Sequence, residues 1–303
     1  MTRNEIEQLF EQFNGLQIMV VGDVMIDSYI WGSVERISPE APVPIVSADK
    51  KENRVGGAAN VALNLRALGA RPVLCSVIGD EAAGETFLDL LHENEMTTDC
   101  LLQDKNRKTT CKTRIIGNNQ QLMRIDEEDL DPLSPDWESR LINRAEEYIT
   151  QNKIDAIIFQ DYNKGVLTPR VIHAMIDIAR RNQVFTLVDP KKQNFDQYRE
   201  VDLFKPNFKE FREGVQGNVD KKDISSLVEA SSKYAHSLHI NTILLTMSEE
   251  GVLIYDKGSY YHIPAQKRDI ADVSGAGDTV ISTAALCLAL QVSPWELAFL
   301  SNL

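Results

Sequence analysis

A chain of 303 residues with 43% hydrophobic and 25% charged content has enough apolar material for one large α/β domain with an insertion, and too much for global disorder. A formal net charge of −13 excludes the broad basic surface that holds nucleic acid, but a few local cations can still bind an anionic small molecule in a cleft. The four cysteines, Cys75, Cys100, Cys111 and Cys287, form no C-x-x-C pair, which favours free thiols in a reducing compartment over a disulfide framework or a zinc site.

The opening segment MTRNEIEQLFEQFNG reads as an acidic amphipathic helix ended by Gly15, unlike a signal peptide. No apolar run approaches a membrane span, so a cytoplasmic location is expected, with no membrane or nucleic-acid partner. LQIMVVGDVMID reads as a buried strand whose exit carries Gly22, Asp23 and Asp27. The following stretch contains Pro39, Pro42 and Pro44, so it is expected to form edge strands or a flap rather than a central strand. GGAANVALNLRALGA predicts a helix, apolar at helical spacing from Val61 to Leu68 and closed by Gly69. RPVLCSVIGD and EAAGETFLDLLHENEM supply a further strand and helix, and this alternation predicts a parallel sheet.

From Thr109 to Asp126, two extended segments meet around GNN, a hairpin signal; with residues 30–48 they are expected to build a small second sheet. The strand–helix rhythm returns with IDAIIFQDYNKG, VFTLVDPKK, VDLFKPN and NTILLTMSEEG, each a strand followed by a polar turn of the kind that binds ligands in open α/β sheets.

The turn SGAGDT precedes the apolar helix VISTAALCLAL, which places Gly275, Ala276 and Gly277 at a helix N-terminus where free N–H groups favour anions. The dinucleotide and Walker patterns are both absent: Val280 occupies the third glycine position of the first. An aspartate in such a turn makes sense if a phosphoryl group is transferred there. Asp278 would orient an acceptor hydroxyl and take its proton, while the N–H groups of Gly275, Ala276 and Gly277 stabilise charge on the moving oxygens. A plain helix cap is the structural alternative. In GGAAN, Gly56 and Gly57 bring backbone close to a ligand and Asn60 suits sugar hydroxyls, or else the segment only packs a helix tightly. Asp27 suits vicinal hydroxyls or is a solvated turn residue. Asn207 and Glu210 have the N-x-x-E spacing of a capping box, which the spacing alone favours, with a water-mediated role near Mg²⁺ and the nucleotide phosphates as the functional alternative. His236 and His239 lack a third ligand and read as a helix-surface pair.

GGAAN and DVSGAGD, Asp272 to Asp278, resemble in order and position the two signatures of the ribokinase-like (PfkB) carbohydrate kinases. The similarity runs from about residue 15 to the end. Within that family, GDVMIDSYIWGSVERISPEAPVPIV, TRIIGNNQQLMRID, QDYNKGVLT and LVDPKK are most similar to the D-glycero-β-D-manno-heptose-7-phosphate kinases.

The resemblance implies a doubly wound, mainly parallel sheet with helices on both faces and a small β lid from about residues 30–48 and 98–125. It also implies ATP and Mg²⁺, with a monovalent cation as a further candidate cofactor, and a homodimer paired through the lid. Asp278 would be the base, with Asp27, Gly56, Gly57 and Asn60 on the sugar. Lys205, Asn207, Glu210, Thr246, Ser248, Gly251 and Asp272 would lie on the nucleotide side, Glu210 reaching Mg²⁺ through water. An acceptor that already carries a phosphate needs cations, for which Arg36, Arg114, Arg124, Lys164 and Lys191 are candidates. No histidine fits the H-x-G-H motif of the nucleotidyltransferase domain found in some relatives, so only the kinase step is expected. The fold is expected to lack its last elements after WELAFLSNL.

Overall fold

The computed structural model describes residues 2–215, 219–265 and 275–303. The elements run α1 (Arg3–Phe13), β1 (Gln17–Gly22), β2 (Val24–Ile37), β3 (Pro44–Gly57), α2 (Ala58–Ala67), β4 (Arg71–Gly79), α3 (Ala82–Glu93), β5 (Thr97–Asp104), β6 (Thr110–Gly117) and β7 (Gln120–Glu127). They continue with α4 (Pro135–Gln151), β8 (Ala156–Gln160), α5 (Pro169–Arg181), β9 (Phe185–Asp189), β10 (Leu203–Phe204), α6 (Phe208–Gly214), α7 (Ile224–Leu238), β11 (Thr242–Thr246), β12 (Val252–Asp256), β13 (Ser259–Ile263), α8 (Ala276–Ala289) and α9 (Pro294–Ser301).

Among the described residues, nine strands form one sheet in the order β13-β12-β11-β10-β9-β8-β1-β4-β5, parallel from β5 to β11 and antiparallel at β12 and β13. Its central strands are apolar throughout because helices cover both faces. In β1, Met19 and Val21 enter one core with helices α4, α5 and α7, while Ile18 and Val20 enter another with α1, α2, α8 and α9. The expected doubly wound sheet is therefore present. Because β1 pairs with β4 on one side and β8 on the other, the strand order reverses there, and the ends of β1 and β8 open a crevice of the type that binds ligands.

The second sheet has the order β3-β2-β6-β7. Its hairpin turns at Asn118 and Asn119, whose φ of 51° and 63° give the left-handed pair that the GNN signal anticipates. Three expectations need correction. Asp27 does not end the first strand: the chain leaves the large sheet at Asp23, and Asp27 lies within β2. β2 is an interior strand of the lid; Pro39 and Pro42 fall in the turn after it, and Pro44 opens the edge strand β3, where a missing N–H is tolerated. Residues 98–104, assigned to the lid, belong to β5 at the edge of the large sheet.

Candidate active site

The crevice beside β1 and β8 is lined by polar residues at strand ends and closed by the N-terminus of α8. Gly275 caps that helix with φ 80°, a left-handed value, and a Cβ there would stand 3.3 Å from Asn60 Nδ2. One turn of backbone then turns Asp278 inward, only 7% exposed. Its carboxylate accepts from three side chains: Asn60 Nδ2 donates to Oδ2 at 2.6 Å, while Tyr162 Oη and Gln160 Nε2 donate to Oδ1 at 3.0 and 3.2 Å. Gln160 Nε2 also reaches Asp189 Oδ2 at 3.3 Å, and Asp189 is paired with the buried Lys205 at 3.0 Å. A Cβ on Gly277 would lie 3.6 Å from Lys205 Nζ, so the ammonium faces the glycine turn directly. Burial raises the Asp278 pKa, opposed first by the Asn60 hydrogen bond and reinforced by the charge of Asp189. The result is an acid with raised basicity, set among donors beside free helical N–H groups and a cation.

The loop after β8 is held from below. Asp23, 1% exposed, accepts the backbone N–H groups of Tyr162, Lys164 and Val166, each at 3.0 Å, and its own carbonyl accepts from Ala58 at the start of α2. Asp23 thus fixes both segments that carry donors to Asp278, the β8 loop through its carboxylate and the start of α2 through its main-chain carbonyl. Desolvation raises the Asp23 pKa against those three N–H bonds. Asp161 is buried beside it, accepting from Asn194 Nδ2, Tyr198 Oη and the Asn163 N–H, and desolvation with the charge of Asp23 pushes its pKa up to about 6.

On the lid side, Arg114 donates to Asp27 Oδ1 at 2.6 Å and lies 5.2 Å from the Tyr29 ring. A Cβ on Gly56 would collide with Asp27 Oδ2, so Gly56 is the space that lets this carboxylate sit against β3. Gly57, with φ 60°, would strike the Asp23 carbonyl if it carried a Cβ. Lys164 and Lys112 share one carboxylate: their Nζ atoms lie 2.8 and 3.1 Å from the two oxygens of Glu128.

Of the remaining candidate cations, Arg36 lies apart, Arg124 stands opposite Arg114 across the β6–β7 pair, and Lys191 stands beside Tyr162. Arg36 is exposed nine residues beyond Asp27 on β2, roughly 30 Å away along an extended strand, and does not join the site of its own chain. Arg124 is bound to its neighbour Asp126 by two hydrogen bonds. Lys191 pairs with Glu210 at 2.5 Å and stands 5.7 Å from the Tyr162 ring; burial lowers its pKa, but Glu210, Asp189 and Asp161 together hold it above the ordinary value.

Of the residues expected to meet the nucleotide, Asn207 and Glu210 form the capping box of α6, with both reciprocal hydrogen bonds at 2.9 Å. Both oxygens of Glu210 are thereby engaged, one by Asn207 N–H and one by Lys191. An isolated bridge joins Asn207 to Thr246 at the end of β11, and Ser248 and Gly251 follow with left-handed φ of 52° and 85°. Gly251 has no room for a Cβ against the Ile263 carbonyl, a structural reason for glycine. Asp272 lies outside the described residues. His239 is the left-handed C-cap of α7, its ring 6.5 Å from that of His236, and among the described residues no group of three metal-ligating side chains assembles.

The structure thus brings Asp278, Gly275, Gly277, Asn60 and Lys205 into one cluster. It adds Gln160, Tyr162 and Asp189, to which the sequence reading assigns no role although QDYNKGVLT and LVDPKK contain them, and Asp23 beneath them; Lys112 instead joins Lys164 on Glu128. Gln160 and Asp189 are the last residues of β8 and β9.

The doubly wound sheet with a β lid, a glycine-capped helix N-terminus and a buried carboxylate at its first turn define a ribokinase-like protein. Solved structures share the fold: phosphofructokinase-2 from Escherichia coli in complex with fructose-6-phosphate superposes with a TM-score of 0.76, 17% identity and coverage of 95% of this chain and 91% of that one. Arabidopsis thaliana ribokinase complexed with ribose and ATP gives 0.70, 15%, 95% and 90%. The pfkB family carbohydrate kinases match residues 16–302, and the chain belongs to that family. It is also similar to the bifunctional protein HldE of Pelobacter propionicus, 40% identical over 306 residues and covering 100% of this chain and 62% of the relative. The chain spans about three fifths of the length of such relatives. Among the described residues, no helix is long and apolar enough to cross a membrane.

Proposed function

We propose that the chain transfers the γ-phosphoryl group of ATP to O1 of D-glycero-β-D-manno-heptose 7-phosphate, giving the 1,7-bisphosphate used for ADP-heptose and lipopolysaccharide core synthesis. The observation that carries the transfer is the buried Asp278 in the first turn of α8. The acceptor hydroxyl donates to Asp278 and passes its proton to that carboxylate as the O–P bond forms and the bond to the ADP oxygen breaks. The N–H groups at Gly275, Ala276 and Gly277 stabilise charge on the transferred oxygens, and Lys205 lies beside that turn to assist. Mg²⁺ would supply charge neutralisation between the phosphates. Glu210, with both oxygens already engaged, suits a contact through water rather than a direct bond. Asn207, Thr246, Ser248, Gly251 and Asp272 are proposed to meet the nucleotide, and a monovalent cation is proposed as a further cofactor.

For the acceptor, the similarity to HldE and the paired cations support a sugar that already bears a phosphate. Asp27 and Asn60 meet hydroxyls, Gly56 and Gly57 admit the sugar, and Lys164, Lys112 and Arg114 meet the phosphate once Glu128 and Asp27 yield them. ADP release over a panel of acceptors tests this reading: heptose 7-phosphate is expected to turn over best, and preference for an unphosphorylated pentose or a nucleoside overturns it. Lys164→Ala is expected to raise KM for the heptose phosphate at least about 10-fold with little change in KM for ATP.

A homodimer through the lid is proposed from the exposed apolar side chains gathered there: Ile37, Val43, Leu122, Met123 and Ile125, the last 44% exposed. Ile125→Glu is expected to shift the sedimenting species from dimer to monomer; a monomeric unsubstituted chain defeats the proposal.

A further inference from the structure

We infer that Tyr162 and Gln160 are positioning residues for the base, saturating Asp278 Oδ1 so that Oδ2 is the oxygen that receives the acceptor's proton. A carboxylate oxygen has two lone pairs in its plane. Oδ1 already accepts from Tyr162 Oη and Gln160 Nε2, whereas among the described residues Oδ2 accepts only from Asn60, leaving one lone pair for an incoming hydroxyl. The open oxygen is also the one on the side of Asn60 and Gly275, where α2 and the glycine turn meet. The inference rests on the reading of Asp278 as the base.

Tyr162 is suited to the task on three independent grounds. Its backbone N–H is held by Asp23, and the following Asn163 is locked left-handed at φ 55° with its N–H on Asp161, so the loop has little freedom. Its ring is flanked by Lys191 at 5.7 Å. Burial, then the charges of Asp278 and Asp189, raise its pKa, so the phenol stays a donor throughout the working range. The charged and titratable groups facing Asp278 are Tyr162 from the β8 loop, Asp189 from the end of β9 and Lys205 after β10; Asn60 and Gln160 are neutral. Within this set the hydrogen bonds of Asn60 and then Tyr162, with the charge of Lys205, oppose burial and Asp189 in favour of the ionised carboxylate; Gln160 adds a second donor on Oδ1.

The consequence has a definite sign. The base works only when ionised, so activity is lost as pH falls through its pKa. Removing a donor from the ionised form moves that loss to higher pH. Tyr162→Phe, which keeps the ring, is expected to move the acid limb of the kcat/KM profile upward by about one pH unit, with KM for ATP unchanged. Gln160→Met, which keeps the size, is expected to move it in the same direction and serves if the phenylalanine variant folds poorly. An acid limb that stays in place in a folded variant overturns the inference, whether or not the plateau rate falls, because a merely structural role lowers the plateau alone. The assay uses whichever acceptor the unsubstituted protein turns over best. An unsubstituted protein without turnover on any acceptor instead defeats the reading of the site as a kinase centre, so the two failures remain distinct.

Discussion

Asp278→Asn is expected to lower kcat by about 10²–10⁴-fold, the range of general-base catalysis, while KM for ATP and for the acceptor changes by less than about 3-fold. The substitution keeps size and shape. The amide oxygen can take the place of Oδ1 and still accept from Tyr162 and Gln160, and the amide nitrogen then faces Asn60, whose own amide can turn to present its oxygen. Folding is expected to survive because the exchange removes a buried charge and leaves no donor stranded. What is lost is the lone pair that accepts the proton. Isothermal titration of an ATP analogue and the acceptor, beside an ADP-release assay, separates the two effects. Turnover within about 10-fold of the unsubstituted protein sinks the role of Asp278. An unsubstituted chain that binds both ligands without turnover would favour a sensor built on the same fold.

What the sequence made legible follows from the range of the interactions. The glycines of SGAGD, the helix they start and the hairpin at Asn118 and Asn119 are local devices, decided within a few residues, and the structure places them as read. The run LQIMVVGDVMID misleads because burial is continuous through it. Its apolar pattern carries no mark of the point at which the chain passes from one sheet to another, so Asp27 reads as the exit of the first strand although it lies within β2. The partners of Asp278 are illegible for a different reason. Asn60, Tyr162 and Gln160 lie 218, 116 and 118 residues from Asp278, and a polar residue at a strand end looks the same whether it meets solvent or a catalytic acid. The candidate cations show this most sharply. Arg36, Arg124 and Lys164 are equivalent as letters, but tertiary pairing leaves the first far along the lid, binds the second to its neighbour Asp126, and sets the third beside Lys112 on one carboxylate. N-x-x-E resisted resolution because Glu210 makes the capping box and the ion pair with Lys191 at once.

Asp23→Ala is expected to destabilise the fold by about 3–5 kcal/mol and to abolish most activity without touching a substrate. Three backbone N–H groups, of Tyr162, Lys164 and Val166, converge on this carboxylate, and in its absence none has another partner among the described residues. Each stranded donor costs about 1–3 kcal/mol, partly offset because the burial cost of the carboxylate, visible in its raised pKa, also disappears. The loop can recover water for these groups only by moving outward, and that movement withdraws the Tyr162 hydroxyl from Asp278 and Lys164 from Glu128. Denaturant unfolding is expected to show the lost stability, and hydrogen exchange to show faster exchange at residues 162–166 than elsewhere in the sheet. Asp23→Asn retains one accepting oxygen and is expected to fall between the two. A stability change under about 1 kcal/mol for the alanine variant, with protection at residues 162–166 intact, would show that the loop is held by its side chains and that Asp23 is not what places the donors around Asp278.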